Sequence, residues 1–382
     1  MTLPAPRLAM VAGEASGDLL AGLLLQGLHQ RWPGTAAAGI GGPRMRAQGF
    51  DAWWPSQKLS VFGYVDALRH LPELLVIRRN LRQRVLAGKP DVFIGVDAPD
   101  FNFALEASLR ASGLRTVHFV CPSIWAWRGE RVNKLVAAAD HVLCLFPFEP
   151  ELLAHHGVAA TYVGHPAADR IPLEVPRTQA RVALGLAETD SVVALLPGSR
   201  KSEIAHIAPP MLRAAQQLLA RRPQLKLVLP VAPGLRELVQ AQLVRHAPTL
   251  PVILLDGRSH EALAACDLTL IASGTATLEA ALFKRPMVIV YKLGWLNYQL
   301  MKGKGYLPWF GLPNILERDF VVPELIQDAA TPEAIAREAT GWLDDPARCA
   351  QLAQRFTQLH LTLRQDTARK ATDAIAKVLG RA

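Results

Sequence analysis

A chain of 382 residues is long enough for two domains, each with a hydrophobic core of its own. Half of the residues are hydrophobic and a fifth are charged, which excludes an intrinsically disordered protein. The formal charge of +9 is typical of a protein that meets anionic ligands or membranes, but no run of five basic residues indicates nucleic-acid binding.

The four cysteines, Cys121, Cys144, Cys266 and Cys349, lack CxxC spacing and predict buried thiols in a reducing compartment. The apolar run before Gly13 is too short for the core of a signal peptide. No stretch reaches the roughly 18 apolar residues that cross a bilayer. These features predict a cytoplasmic protein and are compatible with peripheral contact with a membrane.

The first half of the chain alternates short apolar runs with longer helical patterns. The predicted strands are Leu8–Ala12, Asp91–Val96, Thr116–Val120 and His141–Leu145. Helices over Asp18–Arg31 and from about Phe101 to Ser112 follow the first two strands. Apolar runs without period-2 alternation are typical of strands that are buried on both faces of a parallel sheet.

The pattern starts again after a Pro-rich polar stretch from Pro166 to Pro176, which predicts a domain boundary. The strands predicted in the second half are Ser191–Leu195, Leu225–Pro230, Val252–Leu255, Leu268–Ala272 and Met287–Tyr291. The final stretch, Thr331–Arg381, is helical in pattern. These elements predict an α/β fold of two Rossmann-like domains facing a central cleft, over residues 1–168 and 169–345, with C-terminal helices over 346–382 packing across the domains.

Two polar motifs follow predicted strands in the first domain, where open α/β sheets bind ligands. GEASGD, residues 13–18, suits a phosphate or a sugar oxygen at a helix N-terminus, and equally a tight turn in which Ser16 or Asp18 caps the helix. Asp97 ends a predicted central strand, so we interpret its carboxylate as a general base. Asp100 is interpreted as the N-cap of the next helix.

Two further loops follow strands in the second domain. Arg200, beside a Gly turn, suits a diphosphate, whereas Ser199 with Glu203 downstream also fits a capping pattern. Glu279 lies one helical turn after a loop of small residues and suits the hydroxyls of a ribose. Two anion-type loops in one domain favour a nucleotide. The candidate nucleotide-binding residues are Gly198, Ser199, Arg200, Glu203, Ser273, Gly274, Thr275 and Glu279.

Two segments are ambiguous when they are interpreted from their residues alone. Trp125 and Trp127 stand beside basic residues, but composition favours packing anchors over a sugar site. Leu59–Arg79 interleaves apolar and basic residues, which fits an anionic membrane interface or an ordinary amphipathic helix that faces the core. The sequence also lacks a DxD-like acidic pair, so helix dipoles and basic side chains are expected to stabilise a departing diphosphate without a metal.

The motifs GEASGD, GVDAPDFN, PSIWAWR, LPGSR, SGTATLE and LPN occur in an order that resembles the lipid-A-disaccharide synthase family from about Val11 to Asn314. The resemblance implies an inverting glycosyltransferase of the GT-B fold that needs no cofactor. Its reaction would join UDP-2,3-diacylglucosamine to 2,3-diacylglucosamine 1-phosphate, giving UDP and the β-1′,6-linked disaccharide of lipid A.

The same resemblance implies roles for individual residues. Asp97 would take the proton from the acceptor 6-hydroxyl, and the candidate loops of the second domain would hold UDP. Acceptor-binding residues would be Glu14, Ser16, Asn314 and Lys302. Contact with the anionic inner membrane, at its cytoplasmic face, would use Val61, Phe62, Val65, Leu68, Leu71 and Leu75. A homodimer is a further implication.

Two alternatives stay open at this point. The first is another protein of the same fold, such as a UDP-N-acetylglucosamine 2-epimerase or a cell-wall glycosyltransferase, and it would turn over UDP-N-acetylglucosamine without a lipid acceptor. The second is a non-catalytic, membrane-bound nucleotide sensor. Such a sensor would bind UDP but would need no base at Asp97.

Overall fold

A computed structural model describes residues 4–59, 64–294, 298–299, 303 and 305–381, without the side chains of residues 64–70. Of the predicted site residues, Val61, Phe62 and Lys302 lie outside the described residues, as do the side chains of Val65 and Leu68.

The chain divides into two compact units. Unit 1 comprises Met1–Asp169 and Thr362–Ala382, and unit 2 comprises Arg170–Leu361. The sequence predicts that the first domain ends at residue 168 and that the helices over 346–382 form a separate C-terminal segment. In the structure the residues up to Leu361 group with unit 2, and the last residues group with unit 1.

Unit 1 is built on a parallel sheet. Its strands are β1 Arg7–Ala12, β2 Ala36–Gly41, β3 Asp51–Pro55, β4 Val92–Val96, β5 Thr116–Phe119, β6 His141–Cys144 and β7 Ala160–Tyr162. Among the described residues these seven strands lie in the order β3-β2-β1-β4-β5-β6-β7. The helices up to the boundary are α1 Ala15–Arg31, α2 Pro43–Arg46, α3 Tyr64–Gly88, α4 Pro99–Arg110, α5 Arg131–Ala138, α6 Glu149–Ala154 and α7 Pro166–Arg170, and a 3-10 turn covers Ser56–Lys58.

Unit 2 is built on a second parallel sheet. Its strands are β8 Val192–Leu196, β9 Lys226–Val231, β10 Val252–Asp256, β11 Leu268–Ala272, β12 Met287–Tyr291 and β13 Glu324–Ile326. In the described part of the chain their order is β10-β9-β8-β11-β12-β13. The helices are α8 Arg177–Ala183, α9 Lys201–Arg221, α10 Arg236–His246, α11 Ser259–Ala265, α12 Thr275–Leu282, α13 Leu312–Glu317, α14 Pro332–Leu343 and α15 Pro346–Leu363, with a 3-10 turn over Gln327–Ala329.

The strand order reverses direction at one place in each sheet. In unit 1, β1 pairs with both β2 and β4, so the chain builds outward on one side and then restarts on the other. In unit 2, β8 pairs with β9 and β11 in the same way. The loops after these strand pairs therefore diverge, which leaves a crevice at the carboxyl ends of the strands. Each unit thus has one place where its topology prepares a ligand site.

A last helix, α16 Thr367–Leu379, completes unit 1. Its Ala371, Ile375 and Leu379 are buried in the hydrophobic cluster that contains Leu24 and Leu28 of α1. Arg115 Nη1 also donates to the carbonyl oxygen of Leu379, at 3.1 Å. No helix within the described residues is long and apolar enough to cross a membrane.

Candidate active site

A pocket of about 380 Å³ lies at the crevice of unit 1. Glu14, which follows β1, and Asp97, which follows β4, both line it. Leu71, Leu74 and Leu75 of α3 contribute apolar side chains to the same lining. Segments that are far apart in sequence therefore meet here, and the pocket combines three carboxylates, that of Asp100 included, with an apolar wall.

Asp97 is held in an uncommon backbone conformation. Its φ is 53° and that of Ala98 is 45°, so two consecutive non-glycine residues are left-handed. Such residues cost of the order of 1–3 kcal/mol each and cluster at functional sites. The Asp97 N–H donates to the carbonyl oxygen of Phe119 at 2.9 Å. The half-buried Asp97 thus stands at the strand end, at the edge of the pocket.

The prediction that Asp100 is an N-cap was wrong. The N-cap of α4 is Ala98 and the helix begins at Pro99, because proline has a helical φ and no N–H to leave unpaired in the first turn. Asp100 instead accepts two hydrogen bonds from Arg131 Nη2, at 2.8 and 2.9 Å. The Asp100 side chain is 84% exposed, so this ion pair contributes little to stability.

The capping alternative for Ser16 and Asp18 was also wrong. Helix α1 begins at Ala15, with Glu14 as its N-cap and no side-chain capping bond. The buried Asp18 carboxylate accepts N–H groups of Gly42, Arg44 and Met45 at 2.8 to 3.1 Å. Asp18 therefore anchors the turn at the start of α2 from a distance in sequence. Ser16 is exposed in the first turn of α1, outside the residues that line the pocket.

The interpretation of Trp125 as a packing anchor is confirmed. Its ring makes edge contacts with Phe146 and Phe148, and its Nε1 donates to Glu149 Oε1 at 3.1 Å. Burial raises the pKa of the Glu149 carboxyl to about 8. The partner of Trp127 is a cation: the guanidinium of Arg128 lies over its half-buried ring, 4.4 Å from the centroid.

A larger pocket, of about 480 Å³, occupies the crevice of unit 2. It lies at the carboxyl ends of β8, β9, β10 and β11. The structure brings all eight predicted nucleotide-binding residues together in its lining: Gly198, Ser199, Arg200, Glu203, Ser273, Gly274, Thr275 and Glu279.

Glu203 braces the first of the two loops. Its Oε2 accepts the N–H groups of Ser199 and Arg200 at 2.8 and 3.2 Å, and its Oε1 accepts from Arg200 Nη1 at 2.9 Å. Gly198 has a φ of 119°, and a Cβ there would lie 2.5 Å from the Cβ of Glu203. A capping pattern that uses Glu203 is therefore present, but the N-cap of α9 is Arg200 and not Ser199. The loop holds the Arg200 guanidinium beside the pocket.

The second loop leads into α12. Gly274 is the N-cap, so the first amide groups of the helix stand at the pocket with the positive end of the helix dipole. Ser273 Oγ donates to the carbonyl oxygen of Phe310 at 3.2 Å. Glu279 Oε2 lies 3.4 Å from His260 Nε2. The pocket thus combines a cationic side chain and helix N–H groups with a carboxylate one turn away.

Sequence reasoning missed part of this pocket. Pro230–Pro233, at the end of β9 and directly beyond it, and Gly257 and Ser259 after β10 also line it. They carry no recognisable motif. Their position in the sequence could have indicated them, because they lie at the carboxyl ends of two predicted strands, at the same edge of the sheet.

Asn314 is fully buried inside unit 2. Its Nδ2 donates to Glu324 Oε1 and to the Val322 carbonyl oxygen, and its Oδ1 accepts from the Val322 N–H. Glu324 in turn accepts the N–H groups of Phe310 and Gly311. Asn314 therefore supports the backbone at Phe310, whose carbonyl oxygen receives the hydrogen bond from Ser273.

Comparison with known proteins identifies the family. The family model of lipid-A-disaccharide synthetase matches residues 8–379. Lipid-A-disaccharide synthase from Albidiferax ferrireducens is 56% identical over 378 residues, which are 98% of this chain and 97% of that protein.

Solved structures share the fold. UDP-GlcNAc 2-epimerase from Neisseria meningitidis, bound to UDP-GlcNAc, has a TM-score of 0.64 at 12% identity and covers 98% of this chain and 100% of its own. The calicheamicin glycosyltransferase CalG4 has a TM-score of 0.64 at 16% identity, with full coverage of both chains. These structures confirm two Rossmann-like domains of the GT-B type. Because the family model spans nearly all of the sequence and the relative is 56% identical, this chain belongs to the lipid-A-disaccharide synthase family of glycosyltransferases.

Proposed function

We propose that the chain transfers 2,3-diacylglucosamine from UDP to the 6-hydroxyl of 2,3-diacylglucosamine 1-phosphate. The acceptor oxygen would form a bond to the donor's anomeric carbon while the bond from that carbon to UDP breaks. The products are the β-1′,6-linked disaccharide 1-phosphate and UDP. The observation that carries the proposal is that each unit has a pocket lined by the family's motifs at the point where its strand order reverses.

Unit 2 would bind the donor. Arg200 and the first amides of α12 suit the diphosphate, because both present positive charge and hydrogen-bond donors to the same pocket. Glu279 would accept the ribose hydroxyls. Glu203 would act on UDP through the loop it braces, since its oxygens already accept from Ser199 and Arg200.

Unit 1 would bind the acceptor. Asp97 would receive the proton of the 6-hydroxyl, as its place at the end of β4 allows. Glu14 lines the same pocket and would accept a sugar hydroxyl, and Ser16 stands two residues further on, in the first turn of α1. Lys302 and Asn314, which belong to unit 2, would also serve the acceptor, and Asn314 would do so through the backbone near Phe310 that it supports.

A direct assay tests the reaction. Purified protein, UDP-diacylglucosamine and the 1-phosphate acceptor should give disaccharide and UDP by mass spectrometry, at the same rate with and without EDTA. The EDTA arm tests our proposal that helix dipoles and basic side chains stabilise the leaving diphosphate without a metal. Turnover of UDP-N-acetylglucosamine without a lipid acceptor would favour an epimerase instead.

The exposed face of α3 supports a proposal of membrane contact. Leu71, Leu75 and Val76 are 46%, 45% and 58% exposed, and Arg79 is exposed beside them. Apolar side chains next to basic ones suit the boundary between lipid head groups and acyl chains. We place the enzyme on the anionic inner membrane at its cytoplasmic face, where Leu71 and Leu75 would meet lipid beside the acceptor pocket. A homodimer is a further proposal, to be measured by analytical ultracentrifugation.

Replacing both Leu71 and Leu75 with Glu should abolish co-sedimentation with vesicles that contain anionic lipid, because two charges would enter the apolar boundary. Val182→Glu is the matched control, since Val182 is also an apolar helix residue and is 74% exposed in unit 2. If the double variant co-sediments with the vesicles as well as the control does, this face of α3 is an ordinary solvent-exposed surface and the proposed membrane contact is wrong.

A further inference from the structure

A cluster of fully buried polar side chains lies directly behind the Asp97 backbone. It consists of Asn102 and Glu106 on α4 and His118 on β5, each with no exposed surface. His118 Nδ1 and Glu106 Oε1 are 2.8 Å apart. Burying such groups is unfavourable unless they are hydrogen-bonded, so a cluster of this kind in the core needs a physical reason.

The cluster is connected to Asp97 through one hydrogen bond. Asn102 Nδ2 donates to the carbonyl oxygen of Asp97 at 2.7 Å. The N–H of Asp97 is held on its other side by the carbonyl oxygen of Phe119. Both peptide planes that flank the Asp97 Cα are therefore fixed, and so is the direction in which its side chain leaves the backbone.

This restraint matters because the conformation that it holds is unfavourable. Asp97 and Ala98 are both left-handed, which costs free energy for residues with a Cβ. Without the Asn102 amide, the peptide between them would lose its side-chain donor and could rotate toward a more favourable conformation. The carboxylate would then move relative to the pocket.

Glu106 and His118 fix the helix that carries Asn102. Asn102 and Glu106 are four residues apart and therefore lie on one face of α4. That face rests on Gly95, where a Cβ would clash with Glu106 Oε1 and lie 3.1 Å from Asn102 Cγ. Gly95 pairs in register with His118 on the neighbouring strand. The sheet and the helix thus come close only because position 95 has no side chain.

We propose that Asn102 is a positioning residue for Asp97: its amide holds the base in the left-handed conformation, and the Glu106–His118 pair fixes the helix that presents it. The inference rests on the proposed function, because it requires Asp97 to be the base. Asn102 itself is buried beneath the loop and acts through the backbone of Asp97.

Two substitutions of Asn102 separate positioning from packing. Asn102→Ala and Asn102→Leu should each lower kcat about 10- to 100-fold, since a shift of about 1 Å in a reacting group has effects of that size. The KM for the donor should not change, because the donor pocket belongs to unit 2. Leu fills the volume of Asn, so a loss that occurs with Ala but not with Leu would show a packing role and overturn the proposal.

Thr116→Val provides the matched control. Thr116 is also fully buried in unit 1, and its Oγ1 donates to a backbone oxygen, that of Ala138, at 2.8 Å. This variant should keep the kcat of the unmodified protein. Thermal unfolding and calorimetry with UDP would establish that each variant is folded and binds the nucleotide.

A double-mutant cycle with Asp97→Asn decides whether Asn102 acts through the base. Adding Asn102→Leu to that variant should cause no further loss of kcat, since the group it positions is already gone. A second loss of the same factor would overturn the proposal. If Asp97→Asn alone kept full activity, the base assignment and this inference would both fall; if Asp97→Asn were inactive and Asn102→Leu active, only the inference would fall.

Discussion

Asp97→Asn should lower kcat by about two to four orders of magnitude, the range that general bases contribute. The amide keeps the size of the carboxylate but cannot accept the proton of the acceptor hydroxyl. Binding of UDP, measured by calorimetry, should not change, because the unit 2 pocket contains no part of Asp97. The effect should therefore appear in turnover and leave donor affinity intact.

Asp373→Asn is the control for this variant. The Asp373 carboxylate is 40% exposed and pairs with Arg31 at 2.7 Å, so its loss removes an acid of the same kind from the surface of unit 1. Such surface pairs contribute about 0–1 kcal/mol to stability, and kcat should stay the same. A kcat for Asp97→Asn as high as that of the control would refute the assignment of the base.

Gly198→Ala should raise the Kd for UDP about 10- to 100-fold, or about 1.4–2.8 kcal/mol. The new methyl group would lie 2.5 Å from the Cβ and Oε2 of Glu203. The alanine would also have to adopt a φ of 119°, which is unfavourable for a residue with a Cβ. Because Glu203 holds the N–H groups of Ser199 and Arg200, relief of the clash must move the loop. The guanidinium of Arg200 would move with it.

Gly185→Ala separates the clash from the backbone effect. Gly185 also has a positive φ, 69°, but a Cβ there would meet nothing within 4 Å. This variant should lose some stability and keep its affinity for UDP, as measured by the same calorimetry. Equal affinities for the two alanine variants would mean that the Gly198 loop does not hold the donor.

Nine of the thirteen described strands were predictable from the sequence, and four were not. All nine predicted strands are present, and the continuous apolar runs of all but the edge strand β10 reflect burial on both faces of a parallel sheet. The missed strands are β2, β3, β7 and β13. Strand β2 reads AAAGIG and has only one of the β-branched residues that mark a strand, while β7 and β13 have three residues each. The conformation of these strands depends on the strands they pair with, and the local sequence contains no information about that pairing.

The site was predictable where motifs follow strands, since all eight nucleotide candidates line one pocket. What the sequence did not reveal were interactions across the fold. The Asp18 carboxylate anchors a turn that lies more than 20 residues away, and Asp100 pairs with Arg131 on another helix. Glu106 and His118 likewise meet only because β4 and β5 are neighbours. Contacts of this kind depend on strand order, and residue spacing alone does not specify it.

The division of the chain has a consequence for biosynthesis. Most of unit 1 precedes unit 2 in the chain, yet α16, which follows unit 2, packs beside α1, where Gly27 lets the backbone of Ala368 approach. At about 5–20 residues per second, a ribosome needs some tens of seconds to make the intervening unit. During that interval the apolar face of α1 in nascent unit 1 stays exposed. Unit 2 is continuous in the chain, so its folding does not depend on a segment that is made later. A nonsense codon just before α16 would therefore damage the half of the enzyme that was translated first.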